Sequence, residues 1–284
     1  MKFLVLGCNG MAGHMISIYL EEQGYDVTGF AFYASRYVKS IVGDARDLDF
    51  VQKVIHDGHY DSVVNCIGIL NQFAEQDKSN ATFLNAFFPH YLADITRDTG
   101  TQVIQISTDC VFSGKRGSYT EGDIRDGESF YARTKALGEL EDEKNITLRT
   151  SFVGPDIKPA GIGLMNWFMQ QKDQTNGFTK AIWTGLTTLQ LAKTIEAAAL
   201  QKANGLYHAV PAAKISKYEL LLLFNCYLRN NELTINPVEG MAVDKSLINT
   251  RHGFNCQVPV YETMLSELAE WMHAHKELYP HYSL

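Results

Sequence analysis

Tyr131 and Lys135 stand four residues apart in Tyr131-Ala-Arg-Thr-Lys135, and on a helix that spacing puts both side chains on one face. A free tyrosine ionises near pH ~10 and is a poor acid or base at neutral pH. An ammonium beside it favours the phenolate and is expected to lower that value. Asp109 lies 22 residues before Tyr131 and ends the run Ser107-Thr108-Asp109, where Thr108 offers a hydroxyl to a substrate carbonyl. The three groups suit polarising a C=O for hydride attack, with the tyrosine passing a proton to the alkoxide. Lys135 would also bind nicotinamide ribose hydroxyls. Alone, the Tyr/Lys pair could equally be a surface couple. Its weight comes from the strand-end Ser-Thr and from a glycine turn earlier in the chain.

That turn is Gly7-Cys-Asn9-Gly10-Met11-Ala12-Gly13, with glycine at every third position after an apolar run and before an amphipathic one. Missing Cβ atoms let backbone N–H groups approach a pyrophosphate at the positive end of a helix. The strand–turn–helix context points to a dinucleotide held by residues 7 and 9–13. The second strand ends Gly29-Phe-Ala-Phe-Tyr33 without the acid that often binds a ribose 2′-hydroxyl. Ser35 and Arg36 follow, and Arg36 either takes a 2′-phosphate or is a solvated loop residue. NADPH is therefore favoured, with NADH possible. Asp44-Ala45 would place a carboxylate near the adenine amino group, or belong to a helix N-cap region with Asp47. Cys66-Ile-Gly68 ends a strand with small residues that would let the cofactor pass, or is a packing turn.

These groups need a scaffold, and strand and helix signals alternate through the first half. Strands are expected at Phe3–Leu6, Tyr25–Phe30, Ser40–Val42, Ser62–Asn65, Gln102–Ser107 and Thr147–Phe152. Helices are expected at Met11–Glu22, Phe50–His56, Asn80–Asp98 and Tyr131–Glu143. The alternation implies an α/β fold with a doubly wound parallel Rossmann-type sheet and ligands at the carboxyl ends of its strands. Gly154 to Gly163 holds two prolines and three glycines and marks a boundary. Residues 1–154 are read as the dinucleotide-binding domain. Residues 155–284 are read as a smaller mixed substrate lobe, with about 184–210 returning to the first domain. Helices are expected there at Leu164–Gln171, Thr188–Gln201, Lys217–Leu228 and Val260–His275. Ser216 and Glu219 form a capping box, and Gly205–Val210 is expected as a strand rejoining the main sheet.

Bulk properties narrow the classes. With 45% hydrophobic and 20% charged residues, 284 residues suit a globular chain with a sizeable core. A formal net charge of −7 with no basic stripe argues against nucleic acid. Five cysteines without a CxxC pair suggest reduced thiols in a cytoplasm rather than disulfides or zinc. The apolar start stops at Gly7, which fits a strand better than a signal peptide, and no run suits a membrane span. The nine histidines show no HExxH spacing.

On these motifs the sequence resembles the extended short-chain dehydrogenase/reductases, and more narrowly the dTDP-4-dehydrorhamnose reductase group. The carriers are Gly7 to Gly13, Ser107-Thr-Asp-Cys-Val-Phe-Ser-Gly114, Tyr131-Ala-Arg-Thr-Lys-Ala-Leu-Gly-Glu139 and Arg149-Thr-Ser-Phe-Val-Gly154. Gly205-Leu-Tyr-His208 and Ser216 to Leu220 are also similar, while residues 222 to 284 match poorly. The resemblance implies a catalytic set of Thr108, Tyr131 and Lys135, and Phe152-Val153 beside the nicotinamide. It implies a nucleotide-diphosphate sugar with a 4-keto group as substrate, for surface polysaccharide precursors. Two departures bear on the sugar: Cys110 replaces the usual tyrosine, and Asp244-Lys-Ser-Leu247 with Arg251 replaces an Arg-Pro pair before Ser-x-Leu. Relatives that dehydrate such sugars carry Asp-Glu after the threonine, so Asp109-Cys110 favours a reductase over a dehydratase.

For a substrate diphosphate the candidate cations are Lys214, Lys217, Lys245 and Arg251, each also readable as a surface charge. Lys245 and Arg251 are preferred, with Asp109 on the sugar side. Trp183 and Tyr207 would stack on a base or sugar, or pack in the core. An epimerase uses the same tyrosine and lysine. A non-catalytic dinucleotide-binding subunit, like the relative that regulates methionine adenosyltransferase, would not need to keep all three catalytic residues. A homodimer is common in the superfamily.

Overall fold

Phe3-Leu-Val-Leu6 has no polar side to turn toward water, which suits a strand covered on both faces. In the computed structural model, which describes residues 1–283, it lies in β1 (Lys2–Leu6), with Phe3 to Leu6 fully buried. There follow α1 (Met11–Glu22), β2 (Asp26–Ala31), β3 (Ser40–Val42), α2 (Leu48–Gly58) and β4 (Ser62–Asn65). Next come α3 (Asn71–Gln76), α4 (Lys78–Ala81), a π-helical turn at Thr82–Phe87 and α5 (Phe88–Thr96). Then β5 (Gln102–Ser107), a 3-10 turn at Asp109–Val111, α6 (Phe130–Leu137), β6 (Ile146–Arg149) and β7 (Phe152–Val153) complete the first half.

The second half runs α7 (Leu164–Met169), β8 (Gln174–Phe178), β9 (Ala181–Trp183), β10 (Leu186–Thr187) and α8 (Thr188–Gln201). It continues with β11 (Gly205–His208), β12 (Ile215–Ser216), α9 (Lys217–Arg229), β13 (Thr234–Val238), β14 (Val243–Asp244) and α10 (Tyr261–Ala274). The main sheet has the order β11-β6-β5-β4-β1-β2-β3, with every pairing parallel. Strand order reverses at β1, so a crevice opens past the carboxyl ends of β1 and β4. One apolar layer joins the sheet to α1 and α8 and runs on into α9 and α10; another packs α2 and α5 on the opposite face. Smaller sheets of mixed direction, β12-β9-β14 and β13-β8, lie in the C-terminal half.

Several boundaries differ from expectation. The strand expected over Thr147–Phe152 breaks after Arg149, and Phe152–Val153 pairs instead with β10. The helix expected to reach Glu143 stops at Leu137. At Gly138 a Cβ would sit 1.9 Å from the Asn85 carbonyl oxygen, so the chain passes the π-turn too closely for a side chain. The helix expected over Asn80–Asp98 is helical from Lys78 to Thr96 but carries the π-turn inside it. Helix α3 and strands β8, β9, β13 and β14 were not expected; they are short and poor in alternating apolar residues. The capping box forms: Ser216 Oγ accepts from the Glu219 amide at 3.1 Å, and Glu219 accepts from the Ser216 amide at 2.9 Å.

Candidate active site

The glycine turn follows β1 directly. Gly7 has a φ of +82°, and a Cβ on Gly13 would lie 2.1 Å from the Gly7 carbonyl oxygen, so α1 packs against the turn as only glycine allows. Gly10 caps α1 without a side chain. Among the described residues no partner receives the amides of Met11, Ala12 or Gly13, and the first turn has no acid. Three free donors at a positive helix end fit a pyrophosphate. Asn9 Nδ2 donates to the Tyr33 carbonyl at 2.8 Å and ties the loop after β2 to this turn. On that loop Arg36 is exposed, and no carboxylate lies within ion-pair distance of it among the described residues. Asp44 lies past β3, but its carboxylate is taken up by Arg46 at 2.6–3.1 Å, which holds it below the usual range. Asp47, not Asp44, caps α2 by accepting from the Phe50 amide, and Ala45 is buried.

Across the crevice, β4 ends at Asn65 and the chain runs through Cys66 to Gly68. A Cβ on Gly7 would touch Cys66, and one on Gly68 would stand 4.0 Å from Lys135 Nζ. These two residues therefore bridge the glycine turn and Lys135. Asn85, fully buried in the π-turn, accepts from the Ile69 amide at 2.8 Å and donates to the Ile69 carbonyl at 2.9 Å. It also donates to Thr134 Oγ1 at 3.2 Å, on α6 between Tyr131 and Lys135. It thus clamps the β4 loop to the catalytic helix. An asparagine inside an apolar helical run was the available signal and went unread.

Thr108, Tyr131 and Lys135 meet at the carboxyl end of β5, all buried. Ser129 caps α6 by accepting from the Ala132 amide, which starts the helix one residue before Tyr131. Lys135 Nζ donates to the Ile106 carbonyl at 2.7 Å. Burial brings this lysine down to about 8, with Glu139 and then Cys66 opposing. The expected lowering of Tyr131 is absent. Burial pushes its hydroxyl up and Cys110 and Asp109 add to this, while a hydrogen bond with Thr108 opposes. The physical reason is that the ammonium faces a backbone carbonyl rather than the phenol. Tyr131 is therefore a neutral phenol, in the form that gives a proton rather than takes one.

Asp109 is buried beside Thr108, whose hydroxyl donates to it at 3.2 Å. Burial raises its carboxyl, and Lys245 and Lys217 pull the other way. Lys245 thus comes to the catalytic end, with its stem against Gly114. Lys217, which sequence reasoning set aside, arrives there too. It opens α9, with its ammonium 4.5 Å from the Trp183 ring centroid, and burial lowers it to about 8 against Asp109 and Cys110. Arg251 does not arrive. It is exposed with Nη1 beside Gly205, at the amino end of β11 and the far end of the sheet. The chain after Ile248 runs down that edge, bonding Asn255 to Gln201, so the expectation for Arg251 is corrected. Tyr207 packs edge-on against Phe254, and Trp183 lies buried under Lys217. Phe152 and Val153 extend past the end of β6, with Gly154 closed against Thr188.

A Rossmann sheet whose glycine turn, strand-end threonine and buried Tyr/Lys helix converge on one crevice defines an oxidoreductase of the extended short-chain dehydrogenase/reductase class. The family model of the RmlD substrate binding domain matches residues 1–282, and the chain belongs to that family. It is 27% identical over 227 residues to the Bacillus subtilis spore coat polysaccharide biosynthesis protein SpsK, covering 77% of this chain and 76% of that one. It is 24% identical to a dTDP-4-keto-6-deoxy-D-glucose reductase of Streptomyces niveus, over 98% of this chain and 96% of that one. In fold it is similar to the crystal structure of dTDP-4-dehydrorhamnose reductase from Bacillus anthracis in complex with NADP. There the TM-score is 0.77 at 22% identity, covering 94% of this chain and 98% of that one.

Proposed function

We propose that this chain is an NADPH-dependent reductase of a nucleotide-diphosphate 4-keto-6-deoxy sugar, working in the cytoplasm on precursors of a surface polysaccharide. The observation that carries this is the convergence of the three unpartnered amides of Met11 to Gly13 with buried Thr108, Tyr131 and Lys135 across a crevice floored by Cys66 to Gly68. The names of the Streptomyces and Bacillus relatives support the sugar and the polysaccharide. The Bacillus anthracis complex and an Arg36 without an acidic partner support the phosphorylated cofactor.

When bound, the dinucleotide supplies the hydride. The chain's own part is to hold and polarise. The α1 amides would receive the pyrophosphate and Arg36 the 2′-phosphate. Asp44 is left with Arg46 and Ala45 to border the adenine side. Lys135 lies between Gly68 and the catalytic face, where its ammonium would hold ribose hydroxyls. Thr108 donates to the substrate carbonyl, and Tyr131, a neutral phenol, gives its proton to the oxygen as negative charge builds there. Asp109 would accept from sugar hydroxyls, and Lys245 with Lys217 would face the diphosphate.

The test is NADPH oxidation with a panel of dTDP- and UDP-linked 4-keto-6-deoxy sugars made in place by dehydratases. One donor should turn over, and Tyr131→Phe should lower kcat by about 10²–10⁴-fold while NADPH still binds. Binding without oxidation on every member would reject the reading.

A further inference from the structure

A buried ionic network stands directly behind the catalytic residues. Glu139, just past the end of α6, is 6% exposed and is bonded by Ser107, the neighbour of the Ile106 whose carbonyl takes Lys135; Arg149 at the end of β6 is fully buried. Arg149 donates to both Glu139 oxygens, at 2.8 and 2.6 Å. Ser107, next to Thr108, donates its hydroxyl to Glu139 at 2.6 Å. Arg125, from the loop before α6, donates to Glu139 at 2.5 Å from a partly exposed position. The far side of Arg149 donates to His208 Nε2 at 2.8 Å, while His208 Nδ1 donates to the Ile248 carbonyl at 2.9 Å.

Breaking a buried pair of this kind is costly, but burying it in the first place is a weak route to stability, so a further role is worth seeking in what the network faces. Lys135 supplies one. It is a buried ammonium whose only hydrogen-bond acceptor among the described residues is a neutral carbonyl. The titratable groups acting on it are Glu139, just past the end of α6, and Cys66 from the β4 loop. Asp109 and Cys110 lie past β5 on the Tyr131 side. Of those acting on Lys135, Glu139 is the one ionised at neutral pH, since burial pushes the Cys66 thiol up. Against its burial, Arg149 first, then the Ser107 bond and Arg125, hold Glu139 below the usual carboxylate range.

We infer that Glu139 is a positioning residue, whose charge keeps Lys135 an ammonium and whose bond to Ser107 fixes the strand end carrying Thr108. Arg125 sets how strongly that charge is felt. The inference rests on the reading of Lys135 as catalytic only for its consequence in turnover, not for the coupling itself.

The coupling is read without turnover, by following the lysine ¹³Cε resonance with pH in the full chain and assigning it by its loss in Lys135→Arg. In the native chain the midpoint should lie near about 8. Glu139→Gln should lower it by about half a pH unit or more, and Glu139→Asp, which keeps the charge, should restore most of the shift. Arg125→Leu should raise it, because Glu139 is then less neutralised. If Glu139→Gln does not fold, Arg125→Leu, on a partly exposed side chain, carries the opposite-signed test. An unmoved midpoint in Arg125→Leu, or in a folded Glu139→Gln, overturns the inference. The basic limb of kcat should move with the resonance. Resonance shifts in a chain that oxidises no NADPH on any sugar would uphold the coupling and reject the reductase. Turnover with unmoved resonances would do the reverse.

Discussion

Under the proposed function, Lys135 would set the pH behaviour of turnover. Its ammonium form is the one that can hold ribose hydroxyls as a donor, and burial brings its ionisation to about 8. The rate should hold below that value and fall as pH rises through it, because the group then loses its proton. A kcat profile flat to pH ~10, where a free lysine titrates, would contradict this. Under the proposed function, Arg36 would set cofactor choice. Arg36→Ser should raise the Kd for NADPH by about ten- to a hundredfold, the loss of a charged hydrogen bond, and leave NADH binding nearly unchanged. Equal weakening of both would show that the residue does not read the 2′-phosphate. The meeting of Thr108, Tyr131 and Lys135 at one strand end was legible because an i,i+4 pair and a strand-end hydroxyl are local patterns. Asn85 was not, and Lys217 could not be ranked above the other candidate cations, since what matters about both is which distant element they face. Arg251 was misplaced for the same reason: nothing in residues 249–255 says that the chain turns down the edge of β11.

At the scale of elements, β6 and β11 carry a pH-sensitive joint. His208, at the end of β11, is buried between the Arg149 guanidinium and the Ile248 carbonyl, and burial with that neighbouring charge lowers it from 6.5 to about 4. Glu121 accepts from the His208 amide and from Thr250, and it too is held below its ordinary value. A base with a depressed folded-state value leaves stability intact above the unfolded value. Between pH 6.5 and about 4 the unfolded chain takes up a proton that the folded chain refuses, so stability falls as pH falls. Thermal midpoints should drop across that window in the native chain and drop less in His208→Gln; parallel curves would remove His208 as the cause. The main strands were readable because doubly covered parallel strands are continuous apolar runs. Strands β8 and β13 were not, since Gln174-Thr-Asn-Gly-Phe178 and Thr234-Ile-Asn-Pro-Val238 alternate weakly and hold each other at the surface.

At the scale of the molecule, the two ends of the chain meet beside the cofactor turn. Tyr279, past α10, bonds His14 Nε2 at 2.8 Å, and His14 Nδ1 meets the Gly10 carbonyl. Tyr282 donates to Asn166 at 2.8 Å and accepts from the Asp156 amide at 3.0 Å, pinning the segment after β7 that brings Gly163 against Met11. Tyr282→Phe removes both bonds and should cost about 1–3 kcal/mol in denaturant unfolding. It should also weaken NADPH binding, because that segment covers the glycine turn. Loss of stability with unchanged NADPH affinity would confine the role to folding. This closure was invisible in the sequence, where His14 and Tyr279 are 265 residues apart. No helix among the described residues is long and apolar enough to cross a membrane.

The π-turn at Thr82–Phe87 has a consequence for how this chain tolerates change in length. A π-turn is one residue more than an α-helix needs, so the helices on either side already have the register of a shorter segment. Deleting a single residue there would let the backbone relax to regular α-helix while α5 keeps its buried face. Asn85 would lose its hold on Ile69 and Thr134. Such a shortened chain should keep α5 packed yet melt lower, by the about 1–3 kcal/mol that unpaired buried groups cost, and α6 would be left unbraced, so that packing and alignment part company.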